Sequence, residues 1–419
     1  MKERVILHID LNNFYASVEA LHNPHYRTVP MAVSGNVELR HGIVLAKNQI
    51  AKSYGVNTGD TLIEARQKCP NIEFCPVNFS LYLRFSKLAR EIYERYTDKV
   101  ESFGIDECWL DVTESQKLFG SGKEIADKIR NDLIKELGLT ASAGVSYNKI
   151  FAKLGSDYKK PNVTTIISKD NYQSIAFPLP VERLLYVGKA TKKKLNRIGI
   201  FTIGDLAKCD IEILKNILGV WGGYLHAFAN GEDKAEVRSC DVYSVIKSVG
   251  NSTTTRRDMT SRDDVAYVIH LLSESVGARL KEYGFKGSTI SIYLRNSDLQ
   301  TNSKQQTLKF ATNSSAEIAK VSLNIFDSIK LKEIKLRSIG VQVSHLIKND
   351  NVEIQLDLFN NINNIIKKEK LEKEIDKIRS KFGYNSIKKA IMFTDESLTE
   401  LNDAKEENVI HPIGFRKSL

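Results

Sequence analysis

The first 150 residues alternate β-like apolar runs with amphipathic stretches in one order: strand, helix, strand, strand, helix, strand. That order constrains the fold more than any other feature of the chain. Arg4-Val5-Ile6-Leu7-His8-Ile9-Asp10-Leu11 is a short, mostly apolar run closing at a carboxylate. Residues 14–21 carry helical spacing, with Asn12 or Asn13 as cap. Residues 81–96 set Leu81, Phe85, Leu88, Ile92 and Tyr96 on one helical face. Residues 100–112 read as two strands with a tight turn near Gly104. A helix over 122–137 and a strand over 140–145 complete the pattern. This predicts an α+β fold of ferredoxin-like order. Residues 32–77 form an insertion, with strand candidates at 30–34 and 42–46 and short helices at 49–54 and 62–68.

Beyond this core, Phe177-Pro178-Leu179-Pro180 marks a boundary. Short helices separated by Gly188, Gly199, Gly204 and Gly219 run to about residue 231. Arg238-Ser239-Cys240-Asp241 reads as a linker. Residues 241–345 alternate strands and helices as a separate α+β unit, with 15 Lys/Arg against 10 Asp/Glu. The last 75 or so residues are polar and predict one helix at 364–382. A length of 419 residues suggests about three domains. With 42% hydrophobic and 27% charged residues, wholesale disorder is excluded. No apolar run approaches the ~18 residues of a membrane span. The N-terminus lacks a signal-peptide pattern, because His8 and Asp10 interrupt its apolar run. Five cysteines without a C-x-x-C pair fit a reducing cytoplasm and argue against a disulfide scaffold or structural zinc. The net charge of +10 favours a polyanionic partner.

Three acids carry the chemistry. Asp10 ends the first strand, and the adjacent Asp106 and Glu107 lie by the hairpin. Hard divalent cations take oxygen ligands, and Mg²⁺ prefers a few carboxylates with substrate phosphates. In a ferredoxin-like sheet the first strand neighbours the hairpin, so the three acids can converge on a site for phosphoryl transfer. Neighbouring strand residues point to opposite faces, so Asp106 and Glu107 share a site only if the strand twists there. Taken alone, the three are as readily solvated strand-end charges.

The motifs decide between these readings. Ile9-Asp10-Leu11-Asn12-Asn13-Phe14-Tyr15-Ala16-Ser17-Val18-Glu19 resembles the opening motif of the Y-family DNA polymerases, the translesion enzymes. Gly104-Ile105-Asp106-Glu107-Cys108-Trp109-Leu110-Asp111 resembles their second catalytic motif. Ala143 to Leu154, followed by Lys159-Lys160-Pro161-Asn162, resembles a third. The resemblance runs from about residue 4 to 345 and points to the bacterial branch containing polymerases IV and V. It implies a right-hand architecture: a ferredoxin-like palm at 1–31 and 78–168, small fingers at 32–77, a helical helix-hairpin-helix thumb at 169–237, an α+β little finger at 241–345, and a C-terminal tail at 346–419. It implies a monomer acting on primer–template DNA and deoxynucleoside triphosphates. Asp10, Asp106 and Glu107, with the Leu11 carbonyl, would hold two Mg²⁺ ions.

The resemblance also assigns the surroundings of the nucleotide. Lys52 and Lys160 would meet the triphosphate as point charges. Many members carry Arg where Lys52 stands and a hydroxyl residue where Ala46 stands. Asn13 and Phe14 precede Tyr15, which matches the steric gate that excludes a 2′-hydroxyl. Residues 186–199 hold five basic residues and no acid. There Gly188 resembles a helix-hairpin-helix turn, and Lys189, Lys192, Lys193 and Lys194 can hold DNA phosphates without reading bases. Leu218-Gly219-Val220-Trp221-Gly222 resembles a weaker second copy. Lys247, Arg256, Arg257, Lys286 and Arg295 are candidates for the duplex backbone. Gln355-Leu356-Asp357-Leu358-Phe359 resembles the peptide that binds the bacterial sliding clamp (the β subunit). His8 and Cys108 are read as structural. Two rivals stand beside this reading: another palm-type nucleotidyl transfer enzyme such as a cyclase, and a catalytically silent DNA- or clamp-binding factor.

Overall fold

The computed structural model describes residues 3–35, 42–239, 246–349, 362–383, 386–387 and 389–399. Two compact units are present, the first carried by Met1–Val33 and Val44–Ser244 and the second chiefly by Val245–Ile410.

The first unit opens with β1 (Ile6–Leu11) and α1 (Phe14–His22). All six residues of β1 are buried, as expected of a central strand covered on both faces. β2 (Met31–Ser34), β3 (Val44–Lys47), α2 (Gln49–Ser53), α3 (Leu62–Lys68) and β4 (Glu73–Pro76) follow. Strands β3-β2-β4 form a small sheet over a core of Ala32, Val44, Ala51, Val56 and Ala65. The chain returns through α4 (Phe79–Tyr93) to β5 (Val100–Ser102) and β6 (Glu107–Asp111), then α5 (Gln116–Phe119), α6 (Gly122–Asp132), β7 (Ala141–Ser146), α7 (Lys149–Tyr158) and β8 (Thr164–Ile167).

The main sheet has the order β5-β6-β1-β7-β8. Its first four strands have the predicted ferredoxin-like order. β8 pairs parallel with β7 at the edge and was not anticipated, because Thr164 to Ile167 is a four-residue run without an alternating pattern. Helix α6 begins in a capping box between Ser121 and Glu124 and buries Ile125, Ala126 and Ile129. It gives way to a π-turn over Leu133–Leu137, closed by Gly138 in a left-handed conformation. Helix α7 lies close on β7, because a Cβ at Gly144 would strike the Ala152 carbonyl. Four short helices, α8 (Tyr172–Ala176), α9 (Lys189–Asn196), α10 (Ile203–Lys208) and α11 (Ile211–Leu218), precede α12 (Val220–Ala229) and share a core around Phe151, Leu184, Ile203 and Leu214.

The second unit contains β9 (Ser248–Met259), α13 (Arg262–Glu282), β10 (Phe285–Asn296), β11 (Thr301–Thr312), α14 (Ser315–Asp327) and β12 (Leu336–Lys348). Its antiparallel sheet has the order β11-β10-β12-β9, with α13 and α14 against it. The C-terminal polar stretch is more than a tail. Helix α15 (Ile362–Phe382) and α16 (Glu396–Thr399) belong to this unit. Leu398 is buried in its core. Glu274, buried on α13, meets Arg379 at 2.9 Å and Lys389 at 3.1 Å. Lys281 meets Glu372 at 3.0 Å and Asp376 at 2.7 Å. Composition did not reveal this docking, because the charged residues that make these ion pairs look like a solvated surface in the sequence.

Among the described residues, no helix is long and apolar enough to cross a membrane. Cys69, Cys75, Cys108 and Cys209 are free thiols.

Candidate active site

Two backbone contacts build the site. Asp10 on β1 pairs directly with Glu107 on β6, and the Leu11 amide donates to the Asp106 carbonyl at 3.1 Å. Asp106 lies in the bend before β6 rather than on the strand. The strict alternation of faces therefore does not apply to it, and no strand twist is needed to bring Asp106 and Glu107 together.

Asp10 is buried, and Asp106 and Glu107 stand half-buried beside it. Asp10 is 5% exposed. Burial first, then the charges of Asp10 and Glu107, push the Asp106 carboxyl up to about 7. Burial raises Asp10 as well, against the pull of Lys160 and Lys153. Burial alone would raise Glu107, but the His8 hydrogen bond and the Lys153 ammonium hold it well below the usual range. These opposite directions follow from geometry: Glu107 faces a ring nitrogen and an ammonium, while Asp106 faces two other acids.

Cations and a histidine surround the acids. Lys160 Nζ stands 2.6 Å from Asp10 Oδ2 and 2.8 Å from Asp157 Oδ1. Lys153 Nζ reaches Glu107 at 2.8 Å, Asp157 at 3.2 Å and Asp10 at 3.3 Å. His8 Nε2 lies 3.3 Å from Glu107 Oε2, and its Nδ1 lies 2.8 Å from Ser156 Oγ. Lys153, Asp157 and the His8–Ser156 link escaped the sequence reasoning. The one available signal was the i,i+4 spacing of Lys153 and Asp157 on α7.

Among the described residues, no three His, Cys, Asp or Glu side chains already form a metal-ligand shell. The donors nonetheless fit a divalent cation. They are hard oxygens, and Asp106 lies among like charges that a cation would relieve.

The other candidates fall at different depths. Asn13 is the N-cap of α1 in a left-handed conformation, and Phe14 is buried in the sheet core. Tyr15 stacks on Tyr82 with ring centroids 4.3 Å apart and planes at 12°. Its hydroxyl is pushed up to about 12 by burial and then by Asp106. Tyr82 is itself held by a 2.6 Å hydrogen bond to Glu19. Lys52 is exposed on α2, and its charge acts on Lys47 at the end of β3. Cys108 is buried, as its structural reading expects.

Gly188 caps α9, and nothing occupies the space where its Cβ would stand. Of the α9 lysines, Lys192 pairs with Glu182 at 2.6 Å and Lys194 donates to the Ile217 carbonyl at 3.4 Å; Lys189 and Lys193 complete the cluster. Arg257, a duplex-backbone candidate, is instead tied to Asp264 at 2.8 Å and Asp395 at 2.6 Å. Residues Gln355, Leu356, Asp357, Leu358 and Phe359 lie outside the described residues.

The sequence profile of the impB/mucB/samB family matches residues 9–157, and that family's C-terminal domain matches residues 246–358. DNA polymerase IV of Acetivibrio thermocellus is 50% identical over 399 residues, covering 95% of this chain and all of the relative. DNA polymerase IV of Clostridium acetobutylicum is 36% identical, covering 94% of this chain and 99% of the relative. DNA polymerase IV 1 of Bacillus subtilis is also 36% identical, covering 95% and 96%. Among solved structures, a Y-family DNA polymerase chimera of Dbh and Dpo4 superposes with a TM-score of 0.73 at 26% identity, covering 82% of this chain and all of the chimera.

Proposed function

Because this chain belongs to the Y-family DNA polymerases, the impB/mucB/samB family, we propose that it is a template-directed DNA polymerase that extends primers across damaged templates with low fidelity. The observation that carries this reading is the meeting of Asp10, Asp106 and Glu107 at one end of the β1–β6 pair. The primer 3′-hydroxyl attacks the α-phosphate of a deoxynucleoside triphosphate and pyrophosphate leaves.

Asp10, Asp106 and Glu107, with the Leu11 carbonyl, would hold two Mg²⁺ ions. When bound, these supply Lewis-acid stabilisation of the attacking and leaving oxygens. Lys160 and Lys52 serve the triphosphate as point charges, with Asn13 and Phe14 shaping the nucleotide side. The Tyr15 ring excludes a ribose 2′-hydroxyl. The Gly188 turn with Lys189, Lys192, Lys193 and Lys194 holds backbone phosphates. In this reading residues 1–31 and 78–168 are palm, 32–77 fingers, 169–237 thumb and 241–345 little finger. Residues 355–359 engage the sliding clamp, and the enzyme works as a cytoplasmic monomer.

A cyclase has no use for the α9 lysine cluster, and a silent binding factor has no use for three crowded acids. Primer extension with Mg²⁺, with and without Asp106→Ala, tests the assignment. Loss of extension by about a hundredfold or more is expected. Unimpaired extension by the variant would overturn it.

A further inference from the structure

We propose that Lys153 is a positioning residue of the acid site: a fixed ammonium that holds Asp10, Glu107 and Asp157 in one arrangement and sets how tightly the site takes divalent cations. This rests on the reading of Asp10, Asp106 and Glu107 as metal ligands.

The ammonium has three protons and faces three carboxylates from three elements: Asp10 on β1, Glu107 on β6 and Asp157 on α7. The Lys153 side chain is only 12% exposed. Its root is fixed independently of the acids. A Cβ at Gly155 would come within 3.1 Å of Gly144 Cα, and the Ala152 carbonyl fills the place of a Gly144 Cβ. Helix α7 is thus pressed onto β7 on both sides of Lys153. Ser156 Oγ donates to the Lys153 carbonyl at 2.9 Å while it bonds His8 at 2.8 Å, tying the same turn to β1.

Lys160 differs. It lies beyond the end of α7, is 28% exposed, and meets Asp10 and Asp157. A side chain so placed can leave for a phosphate. Lys153 is anchored and remains among the acids.

Two opposed consequences follow. A divalent cation held by Asp10 and Glu107 shares them with a fixed positive charge, which weakens its binding. The same charge orients Glu107, together with His8. Lys153→Met should therefore tighten cation binding while slowing catalysis, a split that simple damage to α7 does not produce. Lys153→Arg keeps the charge and should bind cations as the wild type does.

The test uses full-length protein with Mn²⁺ as the probe, free ion being followed by electron paramagnetic resonance. Wild type, Lys153→Met, Lys153→Arg and Asp106→Ala are titrated in parallel, and single-nucleotide incorporation is measured for each. The expected result for Lys153→Met is Mn²⁺ binding about three- to tenfold tighter, with kcat reduced about tenfold or more and KM for the nucleotide changed less. Unchanged or weaker Mn²⁺ binding by Lys153→Met overturns the proposal. If that protein does not fold, Lys153→Gln is judged by the same criterion. Wild-type Mn²⁺ binding by Asp106→Ala would instead show that the metal-site reading itself fails, and the proposal with it.

Discussion

At the scale of single residues, the site is organised by what each carboxylate faces. Glu107 faces His8 and Lys153, whereas Asp106 faces Asp10 and Glu107. Tyr15 is organised by rings. It stacks on Tyr82, whose hydroxyl is fixed on Glu19, so its plane is held rather than free to swing. A ring held in place excludes an added oxygen better than one that can yield. Tyr15→Ala should raise ribonucleotide incorporation relative to deoxyribonucleotide by at least about tenfold. Competing incorporation assays with paired nucleotides measure this, and an unchanged ratio would remove Tyr15 from the role.

At the scale of elements, one network contributes to the acid response of the second unit. Arg257 on β9 bridges Asp264, in the capping box that opens α13, and Asp395, just before α16. The Arg257 hydrogen bond holds Asp264 well below the ordinary carboxylate range, and Asp395 is lowered by Ser397 and then by Arg257. A carboxylate lowered in the folded state stabilises above its unfolded value of about 4 and loses that contribution as pH falls through its folded value. The second unit should therefore lose stability as pH drops below about 4, and Arg257→Ala should flatten that loss. Denaturant unfolding at a series of pH values measures the slope. Elements were also where the sequence was most legible. The apolar run before Asp10 became a strand buried throughout, and α3 occupies the predicted residues. What sequence could not supply was side-chain company across elements. Lys153 reads as one more helix lysine until α7 is laid on β7, and Arg257 reads as a surface charge until α16 is folded against β9.

At the scale of the whole molecule, the chain joins an acid site, a lysine-rich helical segment and a second α+β unit, with Gln355 to Phe359 following β12. Deleting residues 355–359 should abolish stimulation of synthesis by the bacterial sliding clamp. Primer extension with and without loaded clamp decides it, and undiminished stimulation would exclude the peptide. The pairing of Glu274 with Arg379 and Lys389 has a consequence during synthesis. Glu274 leaves the ribosome 105 residues before Arg379. At about 5–20 residues per second, the carboxylate waits roughly five to twenty seconds for its counter-charges. Burying it earlier would forgo both of these ion pairs, and losing a buried ion pair costs several kcal/mol. The second unit therefore completes this contact only after α15 has been made. A chain cut short before residue 379 lacks this ion pair and should be cleaved faster than the full chain by added protease.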